Sequence, residues 1–178
     1  MKKLIAPALV LLLAGCGFHL RQPLDLPMDI GPVRVISQDP YSPLGQSLAD
    51  AMTRAGAAAP ADPTAVQGVA RLEVLSERWG NLPISLDSQG RAQEFSLRYA
   101  VVFALRDGND RVVVPQQVVE LSRDYLAPAS DSIGTDNEAD LLAKELRRDM
   151  VAAILRRVAA ATRPLERNSE HITPPPVN

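Results

Sequence analysis

Hydrophobic and polar positions alternate most clearly between Arg91 and Arg106. Phe95, Leu97, Tyr99, Val101, Phe103 and Leu105 fall on one side of an extended chain. Glu94, Ser96, Arg98 and Arg106 fall on the other, with Ala100, Val102 and Ala104 between them. A period of two marks a strand with one buried face, and the small and apolar residues at its middle point to partial cover on the second face. Val69 to Ser85 and Val112 to Leu126 read as further strands, the second disturbed near Pro115 and Val118-Val119. Proline there favours an edge strand or a bulge. Val33 to Ser37, bounded by Pro32 and Pro40, is a short first strand. Asp87-Ser88-Gln89-Gly90 and Asp107-Gly108-Asn109-Asp110 carry the residues expected of tight hairpin turns.

Two stretches follow a helical period instead. Ser42-Pro43 is a start signal, Leu44, Leu48, Met52 and Ala55 recur at helical spacing, and Gly56 is a stop. Near the C-terminus Leu142, Leu146, Met150, Ile154 and Val158 step by four. Lys144, Arg147, Arg148, Arg156 and Arg157 lie off that line, and Thr135 with Glu138 forms a capping-box pattern. The order β-α-β-β-β-α predicts an α+β, two-layer sandwich. Two helices would pack on one face of a mostly antiparallel four-stranded sheet.

The N-terminus follows a different logic. Lys2 and Lys3 precede an apolar run from Leu4 to Leu13, broken only by Pro7, and then Leu13-Ala14-Gly15-Cys16. The run is a signal-peptide h-region, too short for a membrane span, which needs about 20 residues. Small residues immediately before a cysteine resemble the lipobox of bacterial lipoproteins, in which the thiol takes a diacylglycerol and the new amino group is acylated. Each buried methylene contributes about 0.8 kcal/mol, so multiple chains hold a protein on a membrane. Gly17, not Asp, follows Cys16, which implies sorting to the outer membrane. The expected organisation is a lipoprotein signal peptide over 1–15, a lipidated tether over 16–32, the α+β domain over 33–162, and a disordered proline-rich tail over 163–178.

Composition narrows the chemistry. Among 178 residues, apolar types make up 46%, enough for one sizeable core. The formal charge of -2 becomes -4 once Lys2 and Lys3 are removed, since 17 basic then face 21 acidic side chains. No basic block with interleaved aromatics points to nucleic acid. His19 lies beside the lipidation site and His171 in the tail, so the domain has no histidine, and the one cysteine is Cys16. This pattern argues against Cys-His or Ser-His catalysis and against a histidine or cysteine metal site. Asp87, Glu94 and Glu120 have no spacing that suggests acid–base work. No enzyme activity and no cofactor is expected beyond the lipid on Cys16.

Three motifs carry a family resemblance. Gly15-Cys16-Gly17-Phe18-His19-Leu20-Arg21 is the most specific. Gly90-Arg91-Ala92-Gln93-Glu94-Phe95 and Asp136-Asn137-Glu138 are shorter. Together with the order of elements over roughly residues 16–162, they resemble the LptE lipoproteins of lipopolysaccharide assembly. The resemblance implies an outer-membrane lipoprotein facing the periplasm. It would plug the LptD β-barrel one-to-one, assist its assembly and help deliver lipopolysaccharide to the outer leaflet. Arg78, Arg91 and Arg98 are the candidate lipopolysaccharide contacts, because guanidinium binds phosphate bidentately. Where the family pattern has a cation at the hairpin tip this chain has Ser88, and where a second cation precedes Asp-Asn-Glu it has Thr135. Trp79 reads more readily as a packing residue than as a recognition residue. The alternative reading is a periplasm-facing binding module for a soluble ligand or another envelope complex, which would need a concave apolar pocket between sheet and helices.

Overall fold

The computed structural model describes residues 30–62, 64, 66–127 and 132–162, with side chains in the last helix from Asn137 onward. Cys16, the tether before Ile30 and the tail after Thr162 lie outside them. Strand β1 (Val33–Ser37) leads into helix α1 (Pro43–Arg54). Strands β2 (Ala70–Leu86), β3 (Ala92–Arg106) and β4 (Val112–Leu126) follow, and helix α2 (Ser132–Thr162) ends the domain. The sheet order is β1-β2-β3-β4. β2, β3 and β4 pair antiparallel as expected. β1 runs parallel to β2, from Val33 opposite Ala70 to Ser37 opposite Val74, which makes the sheet mixed. The reason is α1: a helix between two neighbouring strands carries the chain back to its starting end.

The alternation in β3 decides which face is covered. Leu97, Tyr99, Val101, Phe103 and Leu105 are buried beneath the helices, and Ala70, Leu72 and Val74 join them from β2. Leu44, Leu48, Ala51 and Met52 of α1 and Leu146, Met150, Ile154 and Val158 of α2 close the layer from above. The chain enters this core at Ile30, ahead of Val33.

Local chemistry sets the ends of α1. Ser42 is its N-cap, with the side-chain oxygen accepting from the Gly45 amide at 3.2 Å, and Pro43 follows. Gly56 ends it at φ 68, its amide bonded to the Thr53 carbonyl while Ala57 bonds back to Met52. That pair of bonds satisfies carbonyls the last turn would otherwise orphan. Helix α2 begins at Ser132, three residues before the Thr135 cap read from the sequence. Once a turn is nucleated, extending it backward costs little, so a cap motif need not mark the first residue. The Thr135 side chain itself lies outside the described residues.

The two edges of the sheet are protected differently. β4 is an edge strand, with a register shift between Phe103 and Leu105 that falls opposite Pro115 and Gln116. Two of its outward carbonyls are capped: Arg157 donates to the Val118 oxygen at 2.7 Å, and Arg123 to that of Ser122 at 2.9 Å. On the other side the short β1 is covered at Val33, which exchanges bonds with Ala57 and Ala59. Such devices stop a free edge from recruiting foreign strands.

At the pole where β1, β2 and the β3–β4 turn meet, three glycines converge. A Cβ on Gly31 would sit 2.5 Å from the Gly68 carbonyl oxygen, and one on Gly108 would fall on the Gly68 backbone itself. Neither neighbour is a flexible side chain. Gly108→Ala is therefore expected to lower stability by about 2 kcal/mol or more, in the range of forced overpacking. Gly80→Ala, whose nearest atom would be 4.0 Å away, is expected to be close to neutral. Urea denaturation of both variants checks this, and equal midpoints would refute the close-approach argument.

Candidate functional site

The face of the sheet turned away from the helices has no cover among the described residues and mixes charged side chains with the exposed Leu82, Val112, Val118 and Leu126. Register places Arg78 opposite Ala100 and Glu120, and Gly80 opposite Arg98 and Ser122. Arg78 and Arg98 are thus diagonal neighbours on this open face, with Gly80 leaving room between them. Arg98 reaches Glu120 at 3.8 Å, with both side chains about half exposed. Arg78 has no ion-pair partner among the described residues. Farther along the same face, Arg71 pairs with Asp110 and Glu73, and Arg106 with Glu73 and Asp110. At such exposure these pairs add little stability individually, but they keep the face wet.

Arg91 belongs elsewhere. It lies at the hairpin tip, roughly 23 Å along β3 from Arg98 at about 3.3 Å per residue. Its Nε donates to Asp87 Oδ2 at 2.8 Å, while the Gln89 and Arg91 amides donate to Asp87 Oδ1. The Gly90 amide closes the turn onto the Asp87 carbonyl at 3.0 Å, with Gly90 at φ 78. The β3–β4 turn repeats this arrangement atom for atom. Asp107 accepts from the Asn109 and Arg111 amides and from Arg111 Nε, and Asp110, at φ 65, takes the place of Gly90. Arg91 is therefore first a clamp on its own turn. Its matching partner is Arg111 at the opposite pole, a relationship visible in the sequence as Asp followed four residues later by Arg. Ser88 sits exposed in the Arg91 turn.

A second polar group was not legible in the sequence. Glu77, on the helix-facing side of β2, accepts from the Ser42 hydroxyl at 2.7 Å and from the Tyr99 hydroxyl at 2.6 Å. One carboxylate thereby ties the start of α1 to the middle of the sheet. Burial, then the bond to Glu77, pushes the Tyr99 hydroxyl well above its ordinary range. Trp79 stacks on the Tyr99 ring at 3.8 Å and 11°, and the Arg147 guanidinium lies 5.7 Å from the Trp79 ring centre. Trp79 thus packs, as read from the sequence, from the middle of β2, although it remains 39% exposed.

Among the described residues, no group of three or more His, Cys, Asp or Glu side chains is placed to hold a metal ion, and no helix is long and apolar enough to cross a membrane. The two best-formed depressions are shallow. One of about 360 Å³ lies between the outer edge of β1 and α1. The other, about 200 Å³, lies by Ile84 and Tyr125. The twin turns generate a pH dependence. The Arg91 amide holds the Asp87 carboxyl below the usual 3.8, and the Arg111 amide does the same for Asp107. Because the folded values are depressed, the stabilisation is complete above the unfolded aspartate value and is lost as pH falls through the folded one. Carboxyl resonances of both residues should titrate below an unperturbed aspartate, with the Gln89, Arg91, Asn109 and Arg111 amides that bond them shifting in step. Titration at the ordinary value would show that the clamps are not formed.

The LPS-assembly lipoprotein LptE of Photorhabdus laumondii is 24% identical over 84% of this chain and 80% of its own length. That of Pectobacterium atrosepticum is 26% identical over 84% and 79%. The rare lipoprotein B of Shewanella oneidensis has the same fold, with a TM-score of 0.61 at 23% identity, covering 73% of this chain and 95% of that one. An uncharacterized lipoprotein B of Nitrosomonas europaea gives 0.66 at 25% identity, covering 81% and 91%. The profile of the LptE lipopolysaccharide-assembly family matches residues 30–158. Among the described residues this span runs from the first buried residue, Ile30, to the last buried apolar position of α2, Val158, and the chain belongs to that family.

Proposed function

We propose that this chain is the outer-membrane lipoprotein subunit of the lipopolysaccharide translocon. It is anchored through acylated Cys16 on the periplasmic face, and its domain over residues 33–162 plugs the LptD β-barrel one-to-one, between a lipidated tether and a disordered tail. The plug assists barrel assembly and the passage of lipopolysaccharide to the outer leaflet. The observation that carries this reading is the open face of the sheet. A plug must present polar surface to a polar barrel lumen, and the middle of this face carries Arg78, Arg98 and Glu120 around Gly80 and Ala100 over a filled core, with the exposed apolar side chains of Leu82 and Val118 beside them. A soluble-ligand module would need an enclosed apolar pocket. Here the space between sheet and helices is taken up by Tyr99, Phe103, Leu105, Leu48, Met150 and Ile154, none of them accessible.

Arg78 and Arg98 are the best-placed contacts for lipopolysaccharide phosphates, being neighbours on one face with Arg78 unpaired among the described residues. Arg91 contributes only through the guanidinium nitrogens not held by Asp87.

Two measurements test the proposal. Affinity purification of the tagged chain from detergent-solubilised outer membranes should recover a large β-barrel at one-to-one ratio, with intact mass showing three acyl chains on Cys16. Recovery of the lipoprotein alone would sink the plug reading. In lipopolysaccharide binding, Arg78→Glu and Arg98→Glu should each weaken affinity by about tenfold, a loss of about 1.4 kcal/mol and near the lower bound for a charged hydrogen bond. Arg91→Gln should weaken it less. The reverse ranking would place the contact at the hairpin tip.

A further inference from the structure

β2 is much longer than the strand beside it. β1 covers only Ala70 to Val74, and from Leu75 to Leu86 the β1 side of β2 has no neighbouring strand among the described residues. Most of that stretch is already spoilt for pairing. A bulge sits at Leu75, a second lies at Ile84, and Ser42 meets Glu77 at the lower end. Pro83 cannot donate. What remains is Arg78 to Leu82, the length of a short ordinary strand.

Register fixes which groups face outward there. The Val118 and Ser122 carbonyls point away from the sheet, where Arg157 and Arg123 cap them. Val118 lies opposite Val102 and Ser76, and Ser122 opposite Arg98 and Gly80. Strand alternation then directs Arg78 and Gly80 toward β3 and leaves the N–H and C=O of Trp79 and Asn81 facing outward. No described backbone group bonds them. Pro83 occupies the next outward position, where its missing N–H costs no ladder bond. No described group covers this stretch in the way that Arg157 and Arg123 cap two carbonyls of β4 and Ala57 and Ala59 bond Val33 of β1, and it is flanked by an unpaired cation, Arg78, on the open face and by the half-exposed ring of Trp79 on the other.

We infer that the Arg78–Leu82 edge of β2 accepts an extended strand from the barrel partner, which bonds to Trp79 and Asn81 and brings an acidic side chain beside Arg78. Main-chain bonds supply affinity in such strand addition, and side chains supply selectivity. The inference rests on the barrel being the partner and goes beyond a plug that only fills space. Charge complementarity defines the occupant: a strand with a carboxylate on its polar face and an apolar residue over Trp79.

Residue-resolved amide exchange on the full-length lipidated chain, free and copurified with its barrel, tests this. In the free chain the Trp79 and Asn81 amides should exchange fast while those of Arg78 and Gly80 stay slow. In the complex the fast pair should slow by about tenfold or more. Arg78→Glu should reduce barrel recovery and Arg78→Lys should restore it. Recovery of a one-to-one barrel with Trp79 and Asn81 still fast would overturn strand addition and leave the plug intact. Recovery without any barrel would overturn both. Slow exchange already present in the free chain would show that the edge is covered without a partner and overturn a barrel strand.

Discussion

One constraint organises this molecule: among the described residues, a long sheet is covered on only one side. Strands wet on one face and dry on the other cannot slip by a residue without turning the whole apolar set into water. β3 bears this constraint most heavily, because it pairs along both edges and carries Tyr99, Val101, Phe103 and Leu105 into the core. The rest of the structure holds that register. The twin Asp–Arg turns lock both hairpins, the bulges at Leu75 and Ile84 and beside Pro115 absorb phase errors, and Arg123 ties β4 to Asp149 of α2 at 2.8 Å.

Glu77 shows how a single polar residue is used inside such a scheme. A carboxylate on the dry face would be costly if left unpaired. Two hydroxyl donors satisfy it, one from the helix cap and one from the central strand, so the position of α1 is referred directly to Tyr99. The open side of the sheet is different in kind. Its charges are exposed and loosely paired, as in the contact of Arg98 with Glu120 at 3.8 Å, which fits the polar contact proposed for it.

What was legible in the sequence follows from periodicity. β3 and the apolar stripe of α2 repeat over enough residues to outweigh local noise, and Ser42, Pro43 and Gly56 act within a few residues of themselves. The parallel pairing of β1 with β2 is nonlocal and rests on where α1 docks, which no local pattern encodes. Arg78 and Arg98 read as open-face residues because alternation places them there. The commitment of Arg91 to Asp87 was present in the spacing but had no meaning until the duplicate turn at Asp107 and Arg111 gave it one. Glu77 had no sequence signal, because its donors come from residues far away in the chain.

The placement of α2 has a consequence in time. β2, β3 and β4 form a meander whose contacts are close in sequence and quick to find. The residues that seal their apolar face, Leu146 to Val158, belong to the last element of the chain. During synthesis or translocation the sheet can assemble while its dry side still lacks half its cover. The nascent chain therefore passes through an interval in which it is sticky, and the interval ends only when the C-terminal turns of α2 arrive. A chain built this way depends on α2 for protection from aggregation, so loss of that helix would expose the dry face of a sheet that has already formed.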